Sequence, residues 1–128
     1  MTGKVAMVTG GAGGIGSAVC RAFIAEGVAV GIADMDALGS KELAMDIKSN
    51  GGDALAVEMD VSFEESVNSA TQKVVDRFGR LDFLVHCAGN NIRSPILDLT
   101  ISDWNSVLNS HLTGAFLSSK SVGRHLVE

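Results

Sequence analysis

The sequence predicts a doubly wound α/β fold with parallel strands in the order 3-2-1-4. Three observations carry this expectation. Short apolar runs alternate with segments of helical spacing along the whole chain. The runs are apolar throughout rather than alternating, as burial on both faces of a parallel sheet requires. A glycine-rich stretch, Thr9 to Gly16, stands between the first run and the first helix. A strand–helix–strand order of this kind folds through right-handed crossovers.

Each element has its own signal. Val5–Thr9 is a short apolar strand. Ile15–Glu26 places Ile15, Val19, Ala22 and Phe23 at helical spacing, and Gly27 ends it. Val28–Ala33 is the second strand. Ala37–Lys48 is helical and is closed by Asn50-Gly51-Gly52. Ala54–Met59 is the third strand. Ser62 and Glu65 have capping-box spacing and open a helix that runs to Phe78 and stops at Gly79. Leu81–Cys87 is the fourth strand. Thr100 and Asp103 repeat the capping-box spacing before one long helix to about Leu126, with no closing element after it. No internal repeat, low-complexity segment or linker interrupts this order, so residues 1–128 are expected to form one unit.

Composition narrows the function classes. The chain has 128 residues, 46% of them hydrophobic and 20% charged, enough to build a core. A formal net charge of -5 argues against a nucleic-acid partner, since phosphate binding needs clustered Lys and Arg. No apolar window approaches the roughly 18 residues of a membrane span, and no secretory leader pattern opens the chain. Cys20 and Cys87 fall in segments that read as buried, too few for a disulfide framework, and a reducing cytoplasm is the expected location.

The glycine stretch carries chemistry. A turn between a buried strand and a helix needs positive φ, and a pyrophosphate can approach its backbone only where no Cβ intervenes. The helix then offers free N–H groups and a partial positive charge to the phosphates. Gly10, Ala12, Gly13, Gly14, Ile15 and Gly16 are therefore candidate cofactor contacts. Asp34 ends the second strand 18 residues beyond Gly16, placed to accept hydrogen bonds from the adenosine ribose and to repel a 2′-phosphate. Neutral Gly13 precedes Gly14, where a basic side chain would have held that phosphate. The expected cofactor is NAD.

The spacing Thr9-Gly10-x-x-x-Gly14-x-Gly16 resembles the signature of the short-chain dehydrogenase/reductase family. Four further features fit, and together they span the chain. Asp60-Val61 closes the third strand, where the family places a carboxylate and a backbone group against the adenine. His86-Cys87-Ala88-Gly89 stands where the family usually has Asn-Asn-Ala-Gly. Asn91-Ile92-Arg93-Ser94-Pro95 resembles the loop of sugar-acid and polyol dehydrogenases of the gluconate 5-dehydrogenase type. Trp104 and Leu112-Thr113-Gly114-Ala115-Phe116 match the long fourth helix. The resemblance implies a Rossmann-like half-domain and hydride transfer to or from a secondary alcohol or carbonyl. It adds Met35, Asp60, Val61, Ala88 and Gly89 to the cofactor contacts.

The departures bear on activity. Family chemistry rests on an Asn, a Ser, a Tyr and a Lys, and the Ser and Tyr-x-x-x-Lys belong after the fourth helix. The chain contains no tyrosine. Aligned from Trp104 and Leu112, the family Asn falls on His111, the one candidate catalytic residue here, whose plainer reading is a helix side chain satisfied by a neighbouring carbonyl. Asn109 is out of register by two residues and so on another helix face. His86, Cys87 and His111 lack metal-site spacing, and no metal is expected.

Three readings stay open: part of an NAD-dependent dehydrogenase whose small-molecule substrate is met only with a missing half, a nucleotide-binding module without redox activity, and a self-associating fragment. The Leu81–Cys87 edge carries no protective Lys or Pro. The last helix offers Val107, Leu108, Ala115, Phe116, Val122 and Leu126. A homodimer through that strand, that helix, or both is expected.

Overall fold

The computed structural model describes residues 1–127. Four parallel strands form one sheet: β1 (Val5–Thr9), β2 (Ala29–Asp34), β3 (Ala54–Glu58) and β4 (Phe83–His86). Their order is β3-β2-β1-β4, as the sequence predicts. The register runs from Val5↔Ala29 to Thr9↔Ala33 between β1 and β2, and from Ala6↔Phe83 to Thr9↔His86 between β1 and β4.

Helices cover both faces. On one face α1 (Gly14–Ala25) and α2 (Ala37–Ser49) bury Cys20, Leu43, Ala44 and Ile47 against Val8, Val30 and Ile32. On the other, α3 (Glu64–Phe78) sets Val67, Ala70 and Val74 against Met7, Ala33, Val57 and Met59. The chain then passes through α4 (Ile101–Leu108), a π-helical turn (Asn109–Thr113) and α5 (Gly114–Leu126). Leu117 and Val122 of α5 join the same core as α3.

One local expectation fails, and one helix departs from regular geometry. Ser62 and Glu65 form no capping box: α3 starts after Phe63 without a side-chain cap. Ser62 is engaged elsewhere, its N–H and hydroxyl both donating to Asp60 Oδ1, 2.9 and 2.5 Å away. A carboxylate two residues upstream takes the serine before the helix can use it. Thr100 and Asp103, with no such competitor, do form the reciprocal box. The long last helix runs unbroken from Ile101 to Leu126, as expected, but carries a π turn at Asn109–Thr113. Its π turn coincides with Ser110 and His111, which are both tied to Asn90, and it seats Gly114 so close to Val61 that a Cβ there would lie 2.7 Å from Val61 Cγ2. Val122 is fully buried rather than available at an interface. Ile101, Trp104, Leu112 and Phe116 are the larger exposed apolar side chains of this limb. No described helix is long and apolar enough to cross a membrane.

Candidate nucleotide-binding cleft

The carboxyl ends of the strands open into a cleft of about 600 Å³. In an open parallel sheet this is where ligands bind, since the crossovers diverge from the point at which the strand order reverses. Here that point lies between β1 and β4. The wall is formed by Gly10, Ala12 and Gly13 from the loop after β1, by Asp34, Met35 and Asp36 after β2, and by Met59, Asp60, Val61 and Ser62 after β3. Cys87, Ala88, Gly89 and Asn90 follow β4, and Ser106 and Ser110 come from the last helical limb.

The glycine loop is built by close backbone contact. Gly10 has φ +63, and a Cβ there would lie 2.8 Å from the Ala88 backbone. Gly16 is buried under the turn, where a Cβ would overlap the Gly10 carbonyl oxygen. Gly13 caps α1 without any side-chain hydrogen bond, and the first turn contains no acid. The helix end thus keeps its partial positive charge for an external anion. An ideal Cβ on Gly14 would meet nothing within 4 Å, so the approach to this end is open. Loop and helix end fit a pyrophosphate.

Asp34 is more than a rim charge. Its Oδ2 accepts from the Ala12 N–H and its Oδ1 from the Asp36 N–H, both at 2.9 Å. Asp36 in turn caps α2 by accepting from the Gly39 N–H. The glycine loop, the end of β2 and the start of α2 are therefore held as one piece. No Lys or Arg is among the residues lining the cleft.

The opposite wall is tied differently. The Asn90 side chain donates to Ser106 Oγ at 2.8 Å and accepts from the Ser110 hydroxyl at 2.5 Å. His111 Nε2 lies 2.8 Å from the Asn90 carbonyl and must donate to it. The imidazole covers Gly89 so closely that a Cβ there would overlap it. Below this clasp, the Ala88 N–H donates to Thr9 Oγ1 at 3.2 Å. Thr9 Oγ1 and His86 Nδ1 are hydrogen-bonded at 2.9 Å. His86 Nε2 is buried and has no hydrogen-bond partner. Burial pushes the His86 pKa down, while the neighbouring Ser110 backbone carbonyl opposes this and the His111 charge adds to it.

Of the expected contacts, Gly10, Ala12, Gly13, Asp34, Met35, Asp60, Val61, Ala88 and Gly89 line the cleft. Gly14, Ile15 and Gly16 do not: Gly16 supports the turn from below, and Ile15 points outward at 77% exposure. His111 reaches the wall only through Asn90 and Gly89. Asp36, Met59, Ser62, Cys87 and Asn90 also line the cleft as sequence neighbours of expected contacts, whereas Ser106 and Ser110 come from the last helical limb and were not legible because only the fold brings them there. Cys87 is half-buried rather than buried because it borders the cleft, whereas burial foremost, and then Cys87, pushes the Cys20 thiol up to about 12. Among the described residues, no group of three or more His, Cys, Asp or Glu could hold a metal ion.

Residues 4–128 match the short chain dehydrogenase family. The chain belongs to that family. It is 37% identical to a D-threitol dehydrogenase of Mycolicibacterium smegmatis over 128 residues, which are 100% of this chain and 49% of that protein. It is 41% identical to the uncharacterized oxidoreductase YuxG of Bacillus subtilis over 96% of this chain and 18% of that protein. A crystal structure of gox2181 superposes with a TM-score of 0.96 at 38% identity, covering 99% of this chain and 50% of that one. The chain thus spans about half the length of relatives such as the D-threitol dehydrogenase, and less of YuxG. Family membership implies a nicotinamide dinucleotide as the cofactor, and the loop chemistry above fits one.

Proposed function

We propose that this chain is the adenosine-binding half-domain of an NAD-dependent dehydrogenase. One observation carries the reading. Asp34 lines a cleft together with Gly13, the N-cap of α1 that has no side-chain hydrogen bond, and the lining contains no Lys or Arg. Ribose hydroxyls are donors that a carboxylate can accept, whereas a 2′-phosphate brings negative charge to the same place. Asp60 and Val61 lie across the cleft and frame an adenine, with Met35 and Met59 as apolar neighbours. Supported by a D-threitol dehydrogenase and a Bacillus subtilis glucose 1-dehydrogenase among the relatives, the substrate class is a secondary alcohol of a polyol or sugar, or its carbonyl. The absence of tyrosine leaves this chain no phenol to exchange a proton with the substrate oxygen. Hydride transfer then requires residues beyond those present here, and the chain alone binds without turning over. With two free thiols it suits a reducing cytoplasm.

Calorimetry with ADP-ribose, NADH and NADPH tests the reading. ADP-ribose is expected to bind in the micromolar to millimolar range, with NADH tighter than NADPH. No binding of ADP-ribose at millimolar concentration, or a preference for NADPH, overturns it. Assays of NAD reduction with polyols and sugars are expected to show no turnover. Turnover abolished by His111→Ala would make His111 catalytic.

Self-association belongs to the same proposal. Strand β4 is half-exposed along its length, and Trp104, Leu112 and Phe116 are exposed nearby in sequence on the last helical limb. A two-fold dimer through β4, this limb, or both covers them. Sedimentation velocity at micromolar concentration is expected to give twice the monomer mass, and a monomer there excludes the dimer.

A further inference from the structure

We infer that Gly114, which does not itself line the cleft, is a positioning residue for the adenine end of it, acting through Val61. The inference rests on the dinucleotide reading above. Val61 lines the cleft yet is only 6% exposed, because it also belongs to the core that α3 and α5 share. Its back rests on the Gly114 backbone. An ideal Cβ on Gly114 would lie 2.7 Å from Val61 Cγ2 and 3.0 Å from Val61 Cβ.

Glycine is a poor helix former, and α5 contains two, Gly114 and Gly123. A Cβ on Gly123 would meet nothing within 4 Å. Gly114 differs because the π turn fixes where it points. Its N–H donates to the Asn109 carbonyl five residues back, and that same oxygen would lie 3.4 Å from the added Cβ. A methyl group at 114 is therefore held between helix backbone and Val61, and Val61 has to yield. Rotation about χ1 moves Cγ2 but leaves the Val61 Cβ where it is. The core closes the other sides of Val61, so the side chain is displaced toward the cleft, into the space an adenine takes. One helical limb thus touches both flanking loops. Ser110 and His111 hold Asn90 after β4, and Gly114 backs Val61 after β3.

Titration calorimetry of ADP-ribose against the parent chain, Gly114→Ala, Val61→Ala, the double variant and Gly123→Ala tests this. Gly114→Ala is expected to weaken ADP-ribose about tenfold, the size of a modest overpacking strain expressed in binding. Val61→Ala, which removes part of the adenine wall, is expected to weaken it about threefold. In the double variant the added methyl group has room. Its affinity is expected to match that of Val61→Ala within about twofold, instead of losing the product of the two effects. Gly123→Ala, the same substitution on the same helix with no neighbour to displace, is expected to bind like the parent. A glycine that served only the helix would change stability and leave the affinity of the folded chain alone. Gly114→Ala binding as the parent does, or a double variant that loses the product, overturns the inference and leaves the dinucleotide reading standing. If Gly114→Ala does not fold, the comparison of the double variant with Val61→Ala decides, and a double variant that does not fold either overturns the inference. If the parent does not bind ADP-ribose, the reading itself fails, and this inference falls with it.

Discussion

Strands β1 and β4 lie side by side, parallel and in register, yet they live in different environments. Every residue of β1 is buried, from Val5 to Thr9, while every residue of β4 is only half-buried. The contrast continues into the loops they feed. Beyond β1 the glycine loop is pinned by backbone contacts and by Asp34. Beyond β4 the wall is held by side chains, the exposed Asn90, Ser106 and His111 and the half-buried Ser110. Position in the sheet explains the difference. β1 has a strand on each side, whereas β4 pairs only with β1. Ligand-binding walls built from side-chain clasps adjust more readily than walls built from backbone, so the cleft has one fixed jaw and one adaptable jaw.

The sharpest way to break this comparison is to add one methyl group to each jaw. At Gly16 a Cβ overlaps the Gly10 carbonyl, which cannot move without displacing the turn. Gly16→Ala is expected to cost about 3 kcal/mol and to abolish nucleotide binding at millimolar concentration. At Gly89 a Cβ overlaps only the His111 ring, which can rotate away. Gly89→Ala is expected to cost about 1 kcal/mol and to retain binding. Urea unfolding and calorimetry read both effects. Equal losses in the two variants would mean that the jaws are equally rigid.

A second test deletes core volume from each strand. Met7 is 1% exposed at the centre of β1, and Leu84 is its partner in register on β4. Met7→Ala is expected to lower stability by about 2–4 kcal/mol and Leu84→Ala by about 1–2 kcal/mol, since a half-exposed side chain leaves less of a cavity. Urea midpoints at constant slope give the comparison. A Leu84→Ala loss as large as that of Met7→Ala would show that β4 is covered in solution, as the proposed dimer requires.

What could be read from the sequence divides along the same line. The fixed jaw was legible because apolar runs and glycines build the turn locally, and because Asp34, though 22 residues from Ala12, stands at a set spacing beyond the glycines at the end of β2. The adaptable jaw was not. The π turn coincides with the bonds that Ser110 and His111 make to Asn90, some 20 residues away. Ser62 looked like a cap because its spacing to Glu65 was right, and no pattern revealed that Asp60 would claim it first. The edge character of β4 was legible from strand order. The clasp that closes its loop required the fold.

The smallest expected effect concerns His86, which sits at the seam between the two jaws, hydrogen-bonded to Thr9 of β1 and facing the π turn. Its Nε2 has no partner, and its pKa is lowered chiefly by burial. The unfolded chain therefore takes up the proton first as pH falls. Stability attributable to the neutral buried ring is fully present above the unfolded-state pKa of about 6.5 and is lost as pH drops from there through the lower folded-state pKa. Asn at this position does not titrate. The difference in urea midpoint between the parent and His86→Asn is expected to be constant above about pH 7 and to move against the parent below about pH 6.5. Taking the difference removes the contribution of every other titrating group common to both proteins, provided that His111 responds alike in each. His111→Gln alongside His86→Asn checks that condition, because His111 disfavours the charged form of His86. Parallel profiles for parent and His86→Asn from about pH 5 to pH 8 would mean that water reaches the seam, and that the adaptable jaw extends down to the ends of the strands.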